Sequence, residues 1–255
     1  MSPALPRAPF NSSKLIRLLA GLAVTDTGHA PQALAERLGP WLDWTDAIAL
    51  STVLNAPLAP PAARRSDGPR PHAAAAEACR RVRTDLAQAM AKAGQALTAQ
   101  AGPKPAAAAT VAPRAETADF LPYRQHCLAQ QRAMDRRIGP LREQVRALAA
   151  GHSPRLGQLA ALDAVMDQAL AARERHVLSS VPQLLEKHFH RLHQAHLAHQ
   201  AMVSERQQAG ACNPGIQPAG WMDNFLNDMH AVLLAELDSR LQPVEGLIAA
   251  LANEV

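Results

Sequence analysis

Apolar residues recur along most of this chain at steps of three and four, the spacing that gathers them on one side of a helix. The clearest run lies between Phe120 and Leu148. There Cys127, Gln131, Met134, Ile138, Leu141, Val145 and Leu148 alternate steps of four and three. That is the seam of a long helix packed against another. Gly139-Pro140 falls inside it and predicts a kink. Ser153-Pro154 opens a second segment over about 155–208, with Leu156, Leu159, Leu162, Met166 and Leu170 as its first stripe. Pro182, beside Ser180 and Gln183 in a capping-box pattern, predicts that this helix stops and restarts. After the turn "GACNPGIQPAG", a third segment over about 219–253 carries Trp221, Phe225, Val232, Leu237, Leu241, Val244, Ile248 and Leu251. Three long amphipathic segments joined by compact turns predict an antiparallel three-helix bundle or coiled coil.

The N-terminal pattern is shorter in range. Leu15, Ile16, Leu18, Leu19 and Leu22 mark a helix behind the cap candidates Asn11, Ser12 and Ser13. Another follows Pro31 through Leu34 and Leu38. Gly39 then breaks the chain and Pro40 suits a first helical position. Trp41, Trp44, Ile48, Ser51 and Leu54 or Asn55 fall at three- and four-residue steps on one helical face. Two tryptophans there predict a small core among three short helices, with a partner-binding surface as the alternative. Repeated prolines between 56 and 72 make a linker. A helix over 73–100 carries a thin stripe of Val82, Leu86, Met90 and Leu97, and a second linker spans 101–115. The expected organisation is all-α. A small helical unit occupies 1–56, an Ala/Pro/Arg-rich stretch with one helix occupies 57–116, and the long-helix bundle occupies 117–255.

Composition narrows the choice further. Four Phe, three Trp and one Tyr in 255 residues are too few aromatics for a large β-sandwich or barrel. The net charge is +4, and Arg supplies 22 of the 26 basic residues. Arg64, Arg65, Arg70, Arg80, Arg81 and Arg83 form the strongest basic segment. A basic arm of this kind suits phosphate backbones or an acidic protein face. No aromatic occurs from Thr45 to Glu116, however, so the arm offers no platform for stacked bases. Three scattered cysteines without a CxxC fit a reducing compartment. "KLIRLLAGLAV" lacks the features of a signal peptide, being interrupted by Arg17 and followed by no A-x-A pattern. No apolar run approaches the ~20 residues that span a bilayer. These features predict a cytoplasmic protein without direct membrane insertion.

Candidate chemistry is sparse. Nucleotide-binding glycine loops and the nucleophile elbow are absent from the sequence, so no catalytic residue and no cofactor is predicted. Asp43 and Asp46 flank Trp44 and Thr45 as paired carboxylates, a spacing that more often caps a helix. Cys79, beside Arg80 and Arg81, is a candidate for a lowered thiol pKa. Five of eleven histidines fall within "LLEKHFHRLHQAHLAHQ", residues 184–200. At 100° per residue His188 and His199 lie inside the apolar face, His196 near its edge and His193 at the boundary, while His190 points away. The run therefore predicts packing and a polar margin, with no metal ligand set. A metal-dependent hydrolase on the His188–His199 helix is a lesser alternative.

The stretch "LGPWLDWTDAIALSTVLN", residues 38–55, resembles the L-x-x-W-L-x-W-T-D-A-I-x-L-S signature of domain-of-unknown-function family 3348, a proteobacterial family. Trp41, Trp44, Thr45, Asp46, Ala47, Ile48, Leu50 and Ser51 match it, and "KLIRLLAGLA" fits its opening. The Ala/Pro-rich middle and helical C-terminal half also fit the family's layout. The resemblance implies a setting in place of an active site. Such genes tend to lie beside those for a membrane ion-driven motor resembling the flagellar stator pair, in an arrangement like a type III Zorya anti-phage system. The chain would then be a cytoplasmic accessory or effector subunit, with the motor's cytoplasmic tail as a protein partner. Nucleic acid is left open as a partner through the 64–83 segment, and homo-oligomer formation is also left open. The expected interaction residues are Trp41, Trp44, Asp46, Arg80, Arg81, Arg83, His190 and His193.

Overall fold

A computed structural model describes residues 14–23, 43–57, 71–101, 119–208 and 220–254. Every regular element among them is a helix. They are α1 (Lys14–Ala23), α2 (Trp44–Asn55), α3 (Pro71–Ala101), α4 (Leu121–His152), α5 (Pro154–Leu178), α6 (Val181–Gln208) and α7 (Trp221–Asn253). The all-α expectation holds. The expected short helix between Pro31 and Leu38, Trp41, and the arginines 64, 65 and 70 lie outside the described residues.

Helix directions follow from side-chain partners. Gln131 bonds to Glu236 and Asp135 pairs with Arg240, so α4 and α7 run parallel. Arg142 and Arg146 of α4 meet Asp163 and Asp167, and Gln131, earlier in α4, reaches the Leu178 carbonyl at the end of α5, so α5 returns antiparallel. His188 meets Asp228 and His193 meets Trp221, so α6 is antiparallel to α7. On the far side Arg83 reaches Glu245 and Asp85 reaches Arg137, while Gln95, later in α3, borders the same groove as His126 and His230, earlier in α4 and α7, which makes α3 antiparallel to both. The three expected segments are thus three columns of an up-down arrangement, and α3 is the fourth. Among its described residues Ala75, Cys79, Leu86 and Met90 are the buried positions, separated by steps of four, seven and four. A small alanine and a cysteine hid half of that stripe from a reading that sought large apolar residues.

The column opposite α7 is broken. The α5 helix ends at Ser179-Ser180, whose hydroxyls donate to the carbonyls of His176 (2.7 Å) and Val177 (2.6 Å). The break expected beside Pro182 is present. Here the serines close α5, and Pro182 occupies the first turn of α6, where a missing N–H costs nothing. Ser153 caps α5 as its motif predicts, accepting from the Leu156 N–H at 3.2 Å. Along α4 the seam residues Cys127, Gln131, Met134, Ile138, Leu141 and Val145 are all buried, and the helix continues through Pro140.

The short N-terminal helices dock separately on this frame. One side of α1, through Leu15, joins the core against α6 and α7, while α2 lies along α5. Gln158 of α5 donates to the Val53 and Leu54 carbonyls, both at 3.0 Å, and so holds the last turn of α2.

Candidate interaction site at the ends of the bundle

At one end of the bundle α4 and α7 both begin, and five of the chain's eight aromatic residues gather there. Phe120, Tyr123, Phe189 and Phe225 lie with ring centroids 5.0–6.2 Å apart, and Trp221 stands edge-on to Phe189 at 5.2 Å. Edge-to-face contacts at such distances add to the stabilisation from burial itself. The histidines of α6 are arranged around this cluster. His188 is buried, with Nε2 2.7 Å from an Asp228 oxygen and Nδ1 2.8 Å from Arg191. A guanidinium can only donate, so Nδ1 accepts and Nε2 carries the proton that faces Asp228. His193 lies 5.0 Å from the Trp221 ring and His196 6.1 Å from it. His190 is exposed, as its position on the helix predicts. The cluster itself was invisible in the sequence, because its members come from positions up to 105 residues apart.

Trp221 is where α7 begins, but α6 continues past it. Residues 197–205 are all exposed. The buried face of α6, which includes Leu185 and Phe189, continues as His196, His199, Met202 and Val203 at the helical period. Met202 is 54% exposed and Val203 37%. One continuous stripe is therefore core in its first half and uncovered in its second.

A second uncovered surface lies on α2. Trp44 is 81% exposed, Ile48 and Leu54 are also exposed, and no α2 residue is buried. The expected small core is thus not built around Trp44. Trp44 is the first residue of its helix, and the helix meets α5 through its other side. Asp43 and Asp46 form a reciprocal capping box: Asp43 accepts from the Asp46 N–H at 2.8 Å and Asp46 from the Asp43 N–H at 3.2 Å. Their carboxylates are occupied in starting the helix.

Two of the three arginines of α3 form ion pairs within the protein. Arg83 bonds Glu245 at 2.6 Å and approaches Asp238 at 3.5 Å, while Arg80 pairs with Glu77. Arg81 is exposed. Cys79, a candidate for acidification by its arginine neighbours, has its thiol pKa raised instead. Burial is the main cause and Glu245 adds to it, together outweighing Arg83 and Arg80. Burial likewise pushes Cys127 up to about 12, with the charge of Glu236 acting in the same direction.

Two polar networks tie the columns together. Gln131 donates to the Leu178 carbonyl (3.0 Å) and to Glu236 (3.1 Å), and Arg240 clasps Glu236 at 2.8 and 3.0 Å. Burial raises the Glu236 carboxyl above the usual range, and Arg240 and Gln131 counter it only in part. Between α4 and α5, Arg142 and Arg146 each bond both Asp163 and Asp167 at 2.6–2.9 Å. Among the described residues no group of three or more His, Cys, Asp and Glu side chains converges, and no helix is long and apolar enough to cross a membrane.

The fold defines an all-α protein built on a four-column helical bundle whose two ends carry uncovered apolar side chains. Residues 1–253 match the model of DUF3348, described as a protein of unknown function, and the chain belongs to that family. No curated protein and no solved structure matches it.

Proposed function

We propose that this protein is a non-enzymatic helical adaptor that docks helical segments of other proteins at its bundle ends. Its proposed setting is the cytoplasmic side of a membrane ion-driven motor in an anti-phage defence system. The α6 stripe carries the reading. The first half of that face buries Leu185 and Phe189 in the core, so Met202 and Val203 continue a surface already shaped to receive a helix. Apolar residues at helical spacing take an amphipathic helix laid along them. The Gln131–Glu236–Arg240 and Arg142/Arg146–Asp163/Asp167 groups inside the bundle are paired with one another and so serve packing. The gene setting implied by the Trp44–Ser51 signature supplies the partner, the helical cytoplasmic tail of the motor.

Co-purification of the full chain with that tail tests the reading. The pair is expected to elute together at micromolar concentration, and Met202→Glu with Val203→Glu is expected to abolish the complex without altering the helical content. Clean separation of the unaltered proteins on size exclusion defeats the proposal. Trp44→Ala, at the opposite end of the bundle, reports whether α2 contributes.

A further inference from the structure

Helix α4 carries six arginines, and the fold ties three of them to its neighbours. Arg137 pairs with Asp85 of α3, and Arg142 and Arg146 hold Asp163 and Asp167 of α5. Of the others, Arg132 and Arg136 are exposed one turn apart, and among the described residues neither has a hydrogen-bond or ion-pair partner. At 100° per residue both point about 140–180° away from the buried seam of Met134, Ile138 and Leu141. The neighbouring helices add to this side. Lys92 of α3 is exposed, two turns from Asp85 on the same side of its helix, so the Asp85–Arg137 pair sets it level with about position 130 of α4. Arg175 of α5 borders a groove that also takes in Gly139, one turn from Arg136. Its Nε donates to the Ala171 carbonyl of its own helix at 3.2 Å, and it joins no ion pair among the described residues. The acids here are mostly neutralised. Asp85, Asp135 and Asp167 are taken by Arg137, Arg240 and the Arg142/Arg146 pair. Glu174 and Glu143 are exposed at the margin, and Arg81 of α3, level with about position 141, offsets Glu143.

We propose that this side of α3, α4 and α5 docks on the phosphate backbone of double-stranded nucleic acid, with Lys92, Arg132, Arg136 and Arg175 as its phosphate contacts. Three of the four are arginines, whose planar fork bonds a phosphate through two N–H groups at once. Packed helix axes stand about 8–10 Å apart, so a row across three helices is about 16–20 Å wide. That width reaches the phosphates on both sides of a major groove about 12 Å across. No exposed large apolar side chain stands within the row. Leu121 lies three turns before Arg132, and Val177 lies about 200° round α5 from Arg175. The surface therefore lacks the apolar anchor that a protein partner would bury, and the apolar side chains that enter a membrane. Tyr123 supplies the one aromatic ring of these three helices apart from histidine, and it is buried, so unpaired bases find nothing to stack on. Contacts confined to phosphate carry no sequence information, and the binding is independent of base sequence. This surface is separate from the α6 stripe and does not rest on the docking role given to it.

Fluorescence anisotropy of a labelled duplex of about 20 base pairs, titrated with the full chain at several salt concentrations, tests this. Binding is expected at micromolar protein in about 50 mM salt. It is expected to weaken roughly a hundredfold by about 200 mM, because four phosphate contacts give log K a slope of about −3.6 against log salt. Arg132→Glu, Arg136→Glu and Arg175→Glu together are expected to abolish binding. Arg132→Lys, Arg136→Lys and Arg175→Lys together are expected to keep it within about tenfold, since the charge stays and only the fork is lost. Lys14→Glu, Arg17→Glu and Arg155→Glu together, an equal change of charge on α1 and at the start of α5, are expected to bind like the parent. Melting curves establish that each variant is folded. Absence of binding by the parent in low salt, equal loss in the two glutamate triples, or loss that follows Arg64, Arg65 and Arg70 in place of these residues defeats the proposal. Attachment of the parent to vesicles of anionic lipid without attachment to the duplex does so as well.

Discussion

Gln131 occupies a position that the four–three pattern assigns to the core, and its side chain there is an amide. Both of its N–H hydrogens are used, one on the carbonyl that ends α5 and one on a carboxylate that is 0% exposed. An unpaired buried polar group costs more than a made bond gains, so the residue matters chiefly for what it leaves satisfied. Gln131→Leu keeps the volume and is expected to lower stability by about 1–3 kcal/mol, read as a fall in the urea midpoint at constant slope. An unchanged midpoint would mean that water replaces the amide without loss. The sequence showed that position 131 faces inward. It did not show why a glutamine stands there, because the partners lie 47 and 105 residues away. Cys79 illustrates the same gap. Its sequence neighbours are cations, but α7 buries the thiol and brings Glu245 to it.

The α4–α5 hairpin depends on its four-charge lattice as well as on its apolar seam. Burial alone would raise Asp163, but hydrogen bonds from Arg142 and Arg146 and their charges outweigh it and hold the carboxyl below its ordinary range. A depressed carboxylate contributes stability that is complete above its unfolded value of about 3.9 and is lost as pH falls through the folded one. Asp163→Asn is expected to cost about 2 kcal/mol at pH 7, since it leaves two half-buried guanidinium groups short of a partner. It should also flatten the loss of melting temperature below about pH 4. A variant that retains the parental acid dependence would place that dependence elsewhere. Element starts and stops in this region were legible because they rest on local chemistry. Ser153-Pro154 begins α5 and the Ser179-Ser180 pair ends it through bonds spanning three residues.

At the scale of the molecule the least legible element was α3. Its buried residues are two large side chains, a cysteine and an alanine, so the stripe looked too thin for a bundle column. Antiparallel packing against α7 gives those small residues a close neighbour, and the Arg83–Glu245 and Arg137–Asp85 pairs fix the register. Met90 is fully buried. Met90→Ala is expected to lower the stability of the single cooperative transition by about 2–4 kcal/mol. A main transition that stays where it was, with only α3 lost at lower denaturant, would show α3 to be a separate, weakly attached element.

Sequence alone determined the helical class, most helix boundaries and which side of each long helix turns inward. All three follow from interactions within a few residues and from the mismatch between apolar surface and water. Only the tertiary structure decided which helices become neighbours, that α4 and α7 run parallel, and that α6 outruns α7. It alone gathered five aromatics at one end. Those outcomes depend on contacts between residues scores of positions apart, where burying one face selects among many pairings that a local pattern leaves equal in energy.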